Sequence, residues 1–353
     1  MILLLGATGY IGQAFSDELR RRGHLFVPLT RKALDYTNFD ILFDYVRKIK
    51  PAFLINAAGY TGRPNVDGCE SARGDTVQGN TLFPQMVARV CFTTNTPWGH
   101  VSSGCIYSGA KVAQNSHVLI EKDLTKPRLR RLFEEHPDRF LGFRELDEPN
   151  FSFRSPPCSF YSGTKALAEE VMENVGQGYL WRLRIPFDEF DHPRNFLTKV
   201  QRYARVYDNV NSLSHRGDFV RACLDLWERE APFGTYNVTN PGAVTTRQVV
   251  DLIEKILKPD RGFRYWKNDR EFYTLAAKTP RSNCILDVSK LLGVGVGIRS
   301  VHDALRSALQ NWQPALANIE MMGAVAEAIT ETDFTLASLD RGESTPLRPN
   351  PLA

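Results

Sequence analysis

The chain has 353 residues, of which 42% are hydrophobic and 24% charged. Those proportions are ordinary for a globular protein with a sizeable core, in one large domain or a large and a smaller one. The formal charge of +4 is spread among acids rather than clustered, so it indicates anionic small ligands and no nucleic-acid partner. No run approaches the ~20 apolar residues needed to cross a bilayer, so no membrane role is expected. The apolar start lacks a basic leader and reaches Gly6 at once, which reads as a buried strand rather than a signal peptide. Six cysteines without a CxxC pair read as free thiols of a cytoplasmic protein, and seven scattered histidines suggest no metal site.

In chain order, 2–5 predicts a strand, 11–22 a helix, 25–29 a strand, 39–49 a helix and 53–56 a strand. A helix over 81–91 and a strand over 100–102 follow. Residues 111–150 are highly charged and broken by Pro127, Pro137 and Pro149, which reads as an insertion with a short helix at 124–133. The pattern resumes with a helix at 161–174 and a strand at 179–185. Shorter, more polar segments then include helices at 246–257 and near 301–312. Strands alternating with helices predict right-handed crossovers and an α/β, Rossmann-type doubly wound parallel sheet with a smaller C-terminal substrate-binding lobe. The expected division is 1–185 for the sheet domain, 186–312 for the lobe and returning elements, and 313–353 for a loosely packed tail.

Gly6-Ala-Thr8-Gly9-Tyr10-Ile11-Gly12 follows the first strand directly and opens a helix. Glycines there permit a tight turn and let backbone N–H groups approach a pyrophosphate, so this is a dinucleotide site. An acid after the second strand would favour NAD, but the chain has Thr30-Arg31-Lys32. Two cations and a hydroxyl suit a 2′-phosphate, so NADP is expected, with NAD the alternative. Asp35 is placed to meet the adenine end.

Tyr161 and Lys165 lie four apart at the start of a helical pattern, hence on one face. A phenol near pKa ~10 is a poor proton carrier at neutral pH, and an adjacent ammonium favours its ionised form. The strand ending Ser102-Ser103 supplies a hydroxyl to orient a carbonyl. GxxGxxG, Asn56-Ala57-Ala58-Gly59, Ser-Ser and YxxxK in that order are far more specific than any one of them.

With these motifs the chain resembles the extended short-chain dehydrogenase/reductases, and within them the dTDP-4-dehydrorhamnose reductases. It is most similar to the bifunctional nucleotide-rhamnose synthases, which are 3,5-epimerase/4-reductases. The carrying segments are Thr61-Gly-Arg63-Pro-Asn65-Val-Asp67-Gly-Cys69-Glu70, Ser103-Gly-Cys105-Ile-Tyr, Phe160-Tyr161-Ser-Gly-Thr-Lys165, Pro193-Arg-Asn195-Phe-Leu-Thr-Lys199, Asn237-Val-Thr-Asn240-Pro-Gly and Pro280-Arg281-Ser-Asn. The resemblance implies Ser103, Tyr161 and Lys165 as the reductase residues and Cys105 with Lys199 as an acid–base pair for epimerisation at C3 and C5. It also implies cofactor contacts from Asn56, Ala57 and Ala58, and contacts to a nucleotide-sugar partner from Arg63, Asn65, Asn195 and Arg281. A homodimer is left open.

Ser103 and Tyr161 are 58 residues apart, more than the resemblance implies. The charged segment is therefore extra: a lid, a subunit contact or a passive excursion. Two further readings stay open, a ketoreductase or epimerase of another nucleotide sugar and an NADP-binding regulatory subunit without turnover.

Overall fold

The computed structural model describes residues 1–315 apart from 64, 115–116 and 173–175. Residues 1–312 form one compact unit. The tail expected over 313–353 lies, from 316 onward, outside the described residues.

Six strands build the central sheet: β1 (Ile2–Leu5), β2 (Phe26–Leu29), β3 (Phe53–Asn56), β4 (Trp98–Ser103), then β8 (Gly178–Leu183) and β12 (Gly234–Asn237) after intervening smaller strands. All are parallel, in the order β12-β8-β4-β3-β1-β2. Register aligns Leu5 with both Leu29 and Asn56, so Gly6, Thr30 and Ala57 leave the sheet at one level. The chain runs from β1 outward to β2, then returns to place β3 on the other side of β1. Such a reversal opens a crevice at the carboxyl ends of the strands, where doubly wound sheets bind ligands.

Both faces of the sheet are buried, which is why β1 is apolar throughout and β3 is apolar up to its closing Asn56. Ile2 and Leu4 face a core made with α1 (Tyr10–Arg21) and α9 (Arg216–Glu228). Leu3 and Leu5 face the opposite core with α2 (Phe39–Ile49), α5 (Phe83–Thr93) and α7 (Phe160–Val171). Three short elements precede α5: α3 (Gly68–Ser71), α4 (Arg73–Val77) and a π-turn at Gln78–Leu82. The helix expected to start at 81 therefore begins as a continuous bend from 73.

The charged segment is structured. Strands β5 (Ala110–Gln114), β6 (His117–Glu121) and β7 (Phe140–Leu141) form a separate antiparallel sheet, with α6 (Pro127–Glu135) between the last two. Leu129 and Phe133, four apart on α6, are buried with Val112, Leu124 and Phe140 against Val210 and Ile285. The segment is thus packed onto the following region of the chain.

That region holds β9 (Pro186–Phe187), α8 (Phe196–Arg202), β10 (Val210–Asn211), β11 (Ser214–His215), β13 (Val244–Thr245) and α10 (Thr246–Leu257). α11 (Asp269–Leu275), α12 (Ser289–Gly293) and α13 (Val301–Gln310) complete it. Its own apolar cluster joins α8, α10 and α13 through Leu197, Val250 and Leu305. α9 and β12, by contrast, return to the main sheet, although neither carries a hydrophobic period strong enough to read.

α7 is tied to the sheet by charge. Arg182 on β8 donates to Glu169 at 2.6 Å, and both side chains are almost fully buried. Glu169 also accepts from Ser102 on β4, and Arg182 reaches Tyr107 Oη and the Glu145 carbonyl. Breaking a buried pair leaves an uncompensated charge, whereas removing both partners does not. Arg182→Met should therefore cost about 3–5 kcal/mol of unfolding free energy. Arg182→Met/Glu169→Leu should recover most of that in urea denaturation, and equal losses in the single and double variants would contradict the account.

Candidate active site

The glycine turn is fixed by close approaches rather than by side chains. Gly6 has φ +76°, and a Cβ there would lie 2.6 Å from the Ala58 nitrogen. A Cβ on Gly12 would meet the Gly6 carbonyl oxygen at 2.0 Å. Both positions must stay bare for α1 to start against the turn and for the turn to sit on the 57–58 loop. Gly9 caps α1 without a side-chain bond, leaving the first-turn N–H groups of Tyr10 and Ile11 at an uncapped helix start. Thr8 lies exposed on the turn, and Tyr36 packs beneath it, its phenol on the Gly6 backbone.

Asn56, fully buried at the end of β3, accepts from the Ala58 N–H at 3.0 Å, while its Nδ2 has no partner. Arg31 and Lys32 stand exposed beyond β2. Thr30 Oγ1 accepts from Ala33 N, and the Asp35 carboxylate is turned onto Thr37. The expected role of Asp35 at an adenine end has no geometric mark beyond this local turn. A bare helix start, two bare glycines, an orphaned buried amide and two exposed cations fit a phosphorylated dinucleotide.

α7 is capped by Ser159, whose hydroxyl accepts from Ser162 N, and this sets Tyr161 and Lys165 in its first turns. Lys165 is buried and its ammonium donates to the Val101 carbonyl at 3.4 Å. It stands beside Gly59: a Cβ there would lie 3.7 Å from Lys165 Nζ and 3.4 Å from Asn80 Oδ1. Asn80, in the π-turn, exchanges hydrogen bonds with both backbone groups of Tyr60 at 2.9 and 2.8 Å. It holds the loop after β3 against α7. Nothing in the sequence pattern singles out Asn80; only a π-turn opposite that loop does.

Of the two serines closing β4, Ser102 is committed to Glu169 at 2.5 Å. Ser103 is the one that meets Tyr161, while its Oγ also accepts from Cys105 N at 3.2 Å. Burial pushes the Tyr161 phenol up, Cys105 adds to this, and Ser103 and Arg184 oppose it. The cation that opposes burial is Arg184; Lys165, expected to lower the phenol, is not among the groups that shift it. A phenol held protonated is suited to giving a proton rather than taking one. Burial also pulls Lys165 down, against Cys105 and Glu169. His100, buried beside Lys165, is kept neutral by the same desolvation.

Cys105 is buried in the short turn Gly104–Ile106, and burial raises its thiol against the Ser103 and Ser162 hydroxyls, Arg184 and Lys165. Arg184, a buried cation that the sequence reading passed over, bridges Asn211 Oδ1 at 2.6 Å and the Ser282 carbonyl at 2.5 Å. Lys199 on α8 is half-buried and brought down by burial and then by Arg194. Among the described residues no hydrogen bond or ion pair joins Cys105 to Lys199; the latter's titratable neighbours are Arg194 and His192, the imidazole held neutral by burial.

Asn195 is fully buried as the cap of α8, its amide shared among Asp188 Oδ1, Asp188 O and Phe190 O. The geometry gives it a positioning role at the start of α8 instead of a ligand contact. Arg63 and Asn65 are exposed on the loop after β3. That loop is held by Arg281, which pairs with Asp67 at 2.6 Å, and by Arg194 on the Thr61 hydroxyl. Glu70 accepts from Phe160 N at 2.7 Å and Thr279 Oγ1 at 2.8 Å, so it joins the start of α7 to the segment before Arg281.

Residues 1–130 match the family model described as the RmlD substrate binding domain. A bifunctional dTDP-4-dehydrorhamnose 3,5-epimerase/dTDP-4-dehydrorhamnose reductase from Arabidopsis thaliana is 29% identical over 304 residues, covering 86% of this chain and 90% of that protein. A trifunctional UDP-glucose 4,6-dehydratase/3,5-epimerase/reductase from the same plant is 30% identical over 305 residues, and this chain spans 41% of its length. Among solved structures, the L780 UDP-rhamnose synthase of Acanthamoeba polyphaga mimivirus has a TM-score of 0.73 at 25% identity, covering 88% of this chain and 98% of that one. The Bacillus anthracis dTDP-4-dehydrorhamnose reductase solved with NADP shares the fold, with a TM-score of 0.67 at 18% identity over 88% of this chain and 97% of that one. The chain is thus similar over most of its length to a bifunctional rhamnose synthase and to a viral UDP-rhamnose synthase, and its first 130 residues match a domain named for the dTDP-4-dehydrorhamnose reductases.

Proposed function

We propose that the protein is an NADPH-dependent reductase of the C4 ketone of a nucleotide-linked 4-keto-6-deoxy sugar, acting after 3,5-epimerisation of the same sugar to give a nucleotide-rhamnose. The observation that carries this reading is the meeting of Ser103, Tyr161 and Lys165 at the carboxyl ends of the strands, beside the glycine turn. Residues 6–12, Thr30, Arg31 and Lys32, and the 56–59 loop would hold the dinucleotide, the two cations favouring NADP over NAD. Bound there, NADPH supplies the hydride that reduces the ketone. Ser103 holds the carbonyl oxygen, Tyr161 gives it a proton, and Lys165 binds the nicotinamide ribose beside Gly59.

The ketone also acidifies the hydrogens at C3 and C5. Lys199, its pKa brought down by burial, takes a proton from one face as the neutral amine, and Cys105, its thiol kept protonated, returns one to the other. The likeness to bifunctional enzymes supports this pair. Among the described residues no hydrogen bond or ion pair joins Cys105 to Lys199, which favours a second reading, ketone reduction without epimerisation. Six free cysteines among the described residues suit a reducing cytoplasm.

Incubation with NADPH and UDP- or dTDP-4-keto-6-deoxyglucose should consume NADPH and yield a nucleotide-rhamnose. Tyr161→Phe should lower kcat by about 10²–10⁴-fold while NADPH binding, followed by fluorescence, is retained. No NADPH oxidation with either ketosugar would sink the reading. Cys105→Ala in deuterated water should abolish deuterium uptake at C3 or C5 yet reduce an already epimerised ketone. Undiminished uptake at both carbons would remove Cys105 from the chemistry and leave the second reading or another acid.

A further inference from the structure

A cavity of about 490 Å³ lies beside the start of the catalytic helix, and its lining includes Ser108, Lys122, Phe151, Tyr273, Lys278 and Arg281. Three cations line it and no carboxylate does. Asp67 offsets Arg281 at 2.6 Å, but neither Lys122 nor Lys278 has a carboxylate partner among the described residues. Arg281 Nη1 is buried with no hydrogen-bond partner, a spare donor that buried guanidinium groups rarely leave unused. Phe151 and Tyr273 add two ring faces. A cavity of this size with cations at its wall and aromatic rings beside them suits a base joined to a diphosphate.

Lys122 belongs to the extra segment, and the fold holds it at the cavity by several independent contacts. Gly109, at φ +87°, begins the hairpin, and a Cβ there would lie 1.9 Å from the Glu121 carbonyl oxygen, so only glycine lets the two arms close. Gly109 N donates to Asn283 O at 2.6 Å, and Ile285 N to Gly109 O at 3.2 Å, pinning the hairpin base to the segment that follows Arg281. Asn150 exchanges bonds with the Ser108 backbone at 2.8 and 3.0 Å, and its carbonyl accepts from Lys122 Nζ at 3.2 Å. One further ion pair, Arg130 with Asp208, ties α6 to the residues before β10.

We infer that the extra segment is a specificity element: Lys122, with Lys278 and Arg281, receives the nucleoside diphosphate of the substrate. This rests on the nucleotide-sugar reading above. The diphosphate sits on the three cations and the base against Phe151 or Tyr273. Pro157 of the same lining lies four residues before Tyr161, so the sugar beyond the diphosphate is directed toward the catalytic helix.

Titration of the full chain with UDP and with dTDP by calorimetry tests this without turnover. Lys122→Glu should weaken binding of the preferred diphosphate at least tenfold, and Lys122→Arg should restore it to within about threefold. NADPH affinity and the thermal midpoint should be unchanged in both variants, which shows that the fold is intact. Equal UDP and dTDP affinities in wild type and Lys122→Glu would overturn the inference, as would failure of the wild type to bind either. Lys122-dependent diphosphate binding with no reduction of any 4-ketosugar would instead uphold the pocket and count against the proposed reaction.

Discussion

A buried ion pair between Glu169 and Arg182 sets the frame on which the proposed catalytic residues hang. Glu169 is one turn along α7 from Lys165, and it accepts both from Arg182 on β8 and from Ser102 on β4. Two adjacent strands and α7 are thereby locked in one register. Ser103, the neighbour of Ser102, is left free to face Tyr161. Arg182 also lies over the Tyr107 ring, 5.3 Å from its centroid, and reaches the Glu145 carbonyl. The same charge thus fixes the return of the extra segment to the sheet. Desolvating such a pair is costly, and its geometry repays that only when every remaining polar group is satisfied. Here the hydroxyls and carbonyls around it do so.

The cofactor side rests on a different constraint, steric closeness. The turn after β1 and the loop after β3 touch through backbone atoms, and no side chain fits between Gly6 and Ala58 or between Gly12 and Gly6. This contact places the start of α1 beside the 56–59 loop. Lys165 and Asn80 then approach that loop from α7 and the π-turn. The substrate side is held by longer-range bonds from Arg194, Arg281 and Glu70, each linking residues more than 80 positions apart. The site is closely packed through backbone atoms where a dinucleotide would lie and is assembled from distant pieces where a sugar nucleotide would.

The sheet was legible because its strands are buried on both faces. β1, β3 and α2 fall where their apolar runs and helical period put them, to the residue. The turn glycines, Tyr161, Lys165 and Ser103 were legible from spacing and order. The residues that do not show in a pattern are those defined by a tertiary partner. Asn80 matters through Tyr60, and Arg184, buried despite its charge, through Asn211 and Ser282. Asn195 read as a ligand residue, yet its amide is consumed in capping α8. The extra segment misled by composition: its many charges hide a minority of apolar side chains that meet only once α6 and the hairpin fold together.

The central claim is that hydride reaches C4 of the sugar while Tyr161 supplies the proton. The most direct measurement uses NADPH deuterated at the transferred position of C4, with a nucleotide-linked 4-keto-6-deoxy sugar, and locates the label in the product by NMR. The account predicts one deuterium at C4 of the new hydroxyl-bearing carbon and none there in Tyr161→Phe on the same timescale. Label retained in the oxidised cofactor, or a product without deuterium at C4, would contradict it.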